Sequence, residues 1–259
     1  VTQPLHPEIA RIDGQPIHLA TLDQAVAAAI AEARAGRGFR LFTLNLDHIV
    51  KRREDARFRA AYRRAEFVSA DGAPVALLAR RQNPAVRRTT GADLVLPLAC
   101  EAARAGIPVA LFGTDEATLV RAAGVLRRAA PGLTIVHHEA PRLGFDPVGT
   151  EAEAALERIA RSGARLVLVA LGAPKQELFA AEFAERFPGL GFVCIGAALD
   201  FLAGTQIRAP EPFRRLGLEW LWRLGTNPVR LARRYAKCAL VLAALLLAPV
   251  GRGARSAEA

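Results

Sequence analysis

The feature that most constrains this chain is a regular alternation beginning at Gly106. Short apolar runs at 107–113, 133–138, 165–172 and 191–197 are separated by segments of helical periodicity at 115–130, 150–162 and 175–187. Runs this short, bounded by glycine and proline, fit strands buried on both faces, and strands alternating with helices build right-handed βαβ units. The expected fold is therefore α/β, a Rossmann-like core whose parallel sheet is covered by helices on both faces. The earlier residues read in the same way. Thr21 is placed to cap a helix over 21–35, with Gln24 at the capping-box position and Gly36 and Gly38 to stop it. A strand over 39–44, a helix over 47–64 and a strand over 66–70 follow, then an apolar stretch at 73–80 and a basic loop from Arg81 to Thr90.

Ligands of parallel α/β folds bind beyond the carboxyl ends of the strands. Thr43 and Asn45 fall there after the first strand, Asp71 after the second and Gly113-Thr114 after the third. Gly172-Ala-Pro-Lys-Gln-Glu177 and Asp200 lie beyond later strands. Asp71-Gly72 has the composition of a tight turn, yet it is flanked by apolar stretches, and a carboxylate held at a strand end suits a general base toward a hydroxyl. Gly172 to Glu177 reads either as a plain connection with Pro174 in the first helical turn or as an anion site at a helix N-terminus. His137 and His138 are adjacent on a strand and so face opposite sides of the sheet, which argues against a shared metal. Glu151 and Glu153 suit the positive end of the helix they open.

Charge points to the kind of partner. The net charge is +10, and all but three of the 35 lysines and arginines are arginine, the exceptions being Lys51, Lys175 and Lys237. An anionic partner is expected, and the planar guanidinium is the better bidentate phosphate ligand. No GxGxxG, Walker loop or DxD pair is present. That removes the usual dinucleotide fingerprint, and with DxD a common way of holding a metal on a donor diphosphate. Cys100, Cys194 and Cys238 form no CxxC pair, so neither a disulfide framework nor a zinc site of ordinary spacing is expected. Residues 1–10 are polar and proline-punctuated and lack a signal-peptide core.

Composition changes near residue 205, which suggests a core over 1–205, with two subdomains meeting near residue 100 as one division of it, and an appendage over 206–259. Between 206 and 237 the charge is +6, and the apolar tract Ala239–Val250 follows directly. A basic, aromatic-containing helix leading into an apolar one is the pattern of an interfacial anchor. A helix over that tract would be roughly 18 Å long, too short for a hydrocarbon layer of ~30 Å. The expectation is a monotopic anchor dipping into one leaflet. The alternative is that the tract packs on the core or on a second subunit.

Several motifs in one order are specific enough to name a family. They are Thr43-Leu-Asn45, Ser69-Ala-Asp71-Gly72, Arg88-Thr-Thr-Gly91-Ala-Asp93, Gly172 to Glu177, Gly196 to Gly204, Arg208-Ala-Pro210, Gly217 to Leu224, Pro228-Val-Arg230 and Arg233-Arg-Tyr235. From about Ile9 to Tyr235 the chain resembles the WecG/TagA/CpsF glycosyltransferases, glycosyltransferase family 26. The resemblance implies metal-independent, inverting transfer of a sugar from a UDP-sugar, of the N-acetylmannosamine, uronic acid or glucose type. The acceptor it implies is an undecaprenyl-diphosphate-linked sugar in cell-surface polysaccharide or teichoic-acid-like synthesis. No cofactor is implied.

Residue by residue, Asp71 matches the proposed catalytic base, and Thr43, Asn45 and Gln176 match residues of the donor and acceptor pocket. Arg88 and Asp200 lie in matching motifs beside it. Arg223, Arg230 and Arg233 match arginines of an appendage that meets the diphosphate or the membrane. The tract 239–250 extends past the family's usual ending.

The expected partners are thus a UDP-sugar, a lipid-diphosphate-linked sugar and an anionic membrane surface at the cytoplasmic face of a bacterial inner membrane. A homo-oligomer that hides the appendage is a further possibility. Two rivals remain. A catalytically silent membrane scaffold sits poorly with an intact Asp71 and Gln176. A nucleic-acid-binding protein would need stacking aromatics among its basic residues, and aromatics make up only 6% of the chain.

Overall fold

The computed structural model describes residues 7–226 and 228–247, with the backbone alone for Arg215, Arg223, Thr226, Pro228 and Arg230. The signal-peptide reading of the opening residues and the tail carrying Pro249, Arg252 and Arg255 fall wholly or partly outside them.

The described chain opens with a hairpin that the sequence reading passed over, β1 (Ala10–Ile12) and β2 (Gln15–Ile17). Its two-residue loop is Asp13-Gly14, and both residues have positive φ (50° and 75°), as a type I′ turn requires. Helix α1 (Leu22–Arg34) starts at Thr21, whose side chain accepts from Gln24 N, while Gln24 reaches back to Ala20 N. Strand β3 (Phe39–Leu44) follows. The single helix expected over 47–64 is instead two, α2 (Leu46–Glu54) and α3 (Ala56–Arg63). Asp55 between them is extended, and its carboxylate accepts from the N–H groups of Arg57 and Phe58, so it ends one helix and caps the next.

Strand β4 (Phe67–Ala70) leads into α4 (Gly72–Arg80) and then α5 (Gly91–Ala105), a helix the sequence reading left unassigned. Thr90 caps α5 and Gly106 closes it at φ 65°. The expected alternation then appears as β5 (Val109–Gly113), α6 (Glu116–Ala129), β6 (Ile135–Glu139), α7 (Thr150–Arg161), β7 (Leu166–Ala170), α8 (Lys175–Phe183) and β8 (Gly191–Cys194). Short helices α9 (Ala198–Ala203), α10 (Glu211–Arg215) and α11 (Glu219–Thr226) precede the long α12 (Pro228–Leu247).

β3 to β8 form one parallel six-stranded sheet in the order β4-β3-β8-β7-β5-β6, so the α/β, Rossmann-like expectation holds. The period of two along β3 divides its apolar side chains. Phe42 and Leu44 enter the layer beneath α2, α3 and α8, and Phe39 and Leu41 enter the layer beneath α1 and α5. Pairing of Thr43 with Ser69 and Leu44 with Ala70 brings the ends of β3 and β4 level, which sets Asn45 beside Asp71.

α12 runs unbroken through the boundary between basic segment and apolar tract. Leu231, Tyr235, Cys238, Leu242 and Leu245 recur at alternating spacings of four and three, and all are partly or fully buried. Val241, Leu242 and Leu245 pack on the core, whereas Leu240 (73% exposed) and Leu247 (86%) face outward. For that face, the described part of the tract takes the alternative of packing on the core. Among the described residues no helix is long and apolar enough to cross a membrane.

Candidate active site

The ends of β3, β4, β7 and β8 open into a cavity of about 670 Å³ whose far wall is formed by α11 and α12. Its core side carries a group of polar side chains at the strand ends. Asp71 stands at the N-cap position of α4, yet its side chain makes no capping bond. An aspartate there usually contributes about 1 kcal/mol by capping. Here Oδ2 is turned toward β3, accepting from Thr43 Oγ1 at 3.3 Å and from Asn45 Nδ2 at 3.4 Å. The Asn45 amide is oriented by α2, because its Oδ1 accepts from His48 N at 3.0 Å and so leaves the NH₂ group facing Asp71. Gly72 has φ 76°, a conformation that disfavours any residue with a side chain, and it lets the chain enter α4 directly after Asp71.

Behind this floor, His48 Nδ1 lies 2.7 Å from Tyr62 Oη, and Tyr62 donates to Thr43 O at 3.3 Å. Burial pushes His48 down to about 3, so the imidazole is uncharged at neutral pH and adds no cation to the cavity. Gln176 is buried and its amide is used on both sides, accepting from Gly196 N at 3.0 Å and donating to Glu177 Oε1 at 2.8 Å. Gln176 therefore ties α8 to the loop after β8.

Glu177 is fully buried, its Oε2 has no hydrogen-bond partner among the described residues, and burial pushes its carboxyl up to about 7. A carboxyl raised on folding contributes stability that is complete below its ordinary value of 4.5 and is lost as pH rises through about 7. Glu177→Gln keeps the acceptor for Gln176 without the ionisation. Thermal denaturation is expected to show the variant gaining on wild type at pH 8 relative to pH 5; a difference independent of pH would refute this account.

The remaining expected residues are placed as follows. Arg88 lines the cavity and donates to Arg214 O at 2.6 Å, tying the core to the C-terminal end of α10. Asp200 is not among the lining residues; its Oδ1 accepts from Thr114 Oγ1 at 3.0 Å, and the neighbouring Phe201 faces the cavity. Arg233 is exposed on α12 and lies off the cavity, while Arg234 lines it. Arg223 lies in α11 and Arg230 in α12, with their side chains outside the described part.

The sequence reading missed the contribution of α2 and of the aromatic wall. Asp47, His48 and Lys51 reach the cavity from the first turns of α2, and Trp220 and Tyr235 meet there with ring centroids 5.8 Å apart. For α2 the signals were Asn45, a cap at the strand end, and Lys51, one of three lysines in an arginine-rich chain; Trp220 and Tyr235 stood within quoted motifs without a role. Gly217 (φ 73°) packs directly on Ala73, so a side chain at 217 would push the appendage off the wall beside Asp71. The ensemble brings a carboxylate, cations and aromatic rings to one cavity, which suits deprotonation of a hydroxyl near an anionic leaving group. The chain matches the family described as "Glycosyl transferase WecG/TagA/CpsF family" over residues 10–255, so the apolar tract lies within the family's span rather than beyond its ending.

Proposed function

The chain belongs to the WecG/TagA/CpsF family of glycosyltransferases, and from that premise we propose that it transfers a sugar from a UDP-sugar to a hydroxyl of a lipid-diphosphate-linked sugar. The observation that carries the reading is the Asp71 carboxylate, held by Thr43 and Asn45 on the wall of the cavity at the strand ends. Asp71 takes the proton of the acceptor hydroxyl as its oxygen attacks the anomeric carbon. The bond from that carbon to the UDP oxygen breaks on the opposite face, UDP leaves with the electron pair, and configuration inverts. Backbone N–H groups at the strand ends and cations at the cavity mouth meet the charge that develops on UDP.

Within this reading, residues 1–205 form the catalytic core and 206–259 the appendage that completes the site. Arg223, Arg230 and the exposed Arg233 serve the anionic surface of the membrane or the diphosphate. The protein acts at the cytoplasmic face of the membrane, peripherally or as a monotopic protein. A panel of UDP-sugars assayed for UDP release tests the function. Release that depends on a lipid-diphosphate-sugar acceptor supports it, and failure of every UDP-sugar refutes it. Because protein cations are assigned the neutralising role, activity is expected to survive EDTA within about twofold, given that a positioned metal Lewis acid supplies several kcal/mol where one is used. Strict dependence on added magnesium or manganese would overturn that assignment.

A further inference from the structure

Three charged side chains converge on one side of the cavity, and the mechanism above gives none of them an individual role. Asp47 and Lys51 lie one turn apart on α2, so they share a face, and Lys51 Nζ is ion-paired with Asp47 Oδ2. From α12, Arg234 Nε approaches Asp47 Oδ1 at 2.9 Å. One carboxylate thus holds a cation on each oxygen, one from the core and one from the appendage, and all three residues line the cavity that contains Asp71. The carboxylate is the deepest of the three, with its side chain 11% exposed against 28% for Lys51 and 41% for Arg234. Burial pushes the Asp47 carboxyl up, but Arg234 and Lys51 outweigh it and hold the group below the usual carboxylate range.

α12 is also tied to α2 outside the cavity, where Lys237 pairs with Glu54, so the charges at Asp47 are not its sole ionic link to that helix. The cluster carries one net positive charge, and its cationic side chains are more exposed than that of the aspartate between them. A diphosphate offers more charge and more acceptor oxygens than a lone carboxylate. Lysine, on its flexible stem, can turn to it as a point charge, and arginine can meet two oxygens at once.

Resting on the sugar-transfer reading, we propose that Lys51 and Arg234 form a diphosphate clamp across core and appendage. Asp47 is the counter-ion that holds both cations in position until a diphosphate takes them. Binding then ties α2 to α12 through the ligand itself. The diphosphate is that of the nucleotide donor or that of the prenyl-linked acceptor, two sources with the same chemistry.

Calorimetric titration of the full chain with UDP and, separately, with farnesyl diphosphate tests the clamp. Lys51→Met and Arg234→Met are each expected to weaken one of these ligands roughly tenfold or more, the scale of a lost charge-assisted hydrogen bond. The ligand affected identifies the source. Asp47→Asn removes a competing charge and is expected to bind that ligand at least as tightly as wild type. Lys237→Met takes the same charge from α12 outside the cavity and is expected to leave affinity unchanged. If Asp47→Asn weakens binding as much as the loss of either cation, the cluster is only a fastening for α12 and the proposal falls. It falls equally if both cation variants bind both ligands as wild type does, and UDP-sugar turnover by wild type would then leave the transfer reading standing. A wild-type chain that binds neither ligand and turns over no UDP-sugar removes both.

Discussion

Replacing Asp71 with asparagine is expected to lower turnover by ~10²–10⁴-fold, the usual cost of losing a positioned general base, while leaving the fold and UDP-sugar affinity intact. The geometry makes this a clean substitution. Asp71 provides no side-chain cap to α4, so the carboxamide forfeits no helix-capping bond. Its remaining oxygen can still accept from Thr43 or Asn45, which keeps the side chain directed into the cavity. What is lost is the ability to take a proton. Steady-state assays should therefore show the loss in kcat, with KM for the donor little changed. Activity within about threefold of wild type would sink the assignment. Thr43→Val and Asn45→Ala leave the carboxylate itself in place and should cost less in kcat, although Asn45→Ala also gives up the cap of α2.

Removing everything after Thr205 is expected to abolish activity while leaving a folded sheet. The truncation takes away the α11–α12 wall of the cavity, the carbonyl of Arg214 that Arg88 holds, and the Arg234 partner of Asp47. It also strips the cover from Ala73, next to the proposed base, where Gly217 packs. A shorter truncation, of residues 239–259, leaves Trp220, Arg234 and Tyr235 in the chain but removes Val241, Leu242 and Leu245 from their place on the core. At partial burial these contribute roughly 1 kcal/mol apiece. That variant should bind membranes more weakly, melt earlier and keep part of its activity in detergent. Circular dichroism and UDP release on the two truncations separate loss of fold from loss of chemistry. Full activity in the longer truncation would show that the appendage has no catalytic part.

Two Asp-Gly pairs show where local pattern stops being informative. Asp13-Gly14 makes the hairpin turn its composition suggests, whereas Asp71-Gly72 starts a helix at the edge of the sheet. The pairs are alike as dipeptides. They differ in their setting, since Asp71 follows a buried strand, and Thr43 of the neighbouring β3 and Asn45 just beyond it donate to its carboxylate. Asp55 is the converse case, a break inside an otherwise helical stretch that its capping chemistry could have announced.

The α/β architecture, the parallel strands and the meeting of Thr43, Asn45 and Asp71 at one edge were determined by sequence alone. Apolar period and capping residues act over a few positions, and parallel strands end on the same side wherever they stand in the sheet. The spacing of Leu231, Tyr235, Cys238, Leu242 and Leu245 likewise marked a buried stripe on α12, which the apolar run beside it obscured. What only the tertiary structure decided is which surface that stripe covers. Docking of α12 on α2 brings Arg234 to Asp47 and Tyr235 to the cavity, while Arg233, one residue earlier, lies off it. Asp200 was placed at the right edge of the sheet by its strand, but its side chain is bonded to Thr114 rather than lining the cavity. The reason is common to both. A helix rotates successive side chains by roughly 100°, so residues alike in the sequence part company once packing between distant segments selects one face.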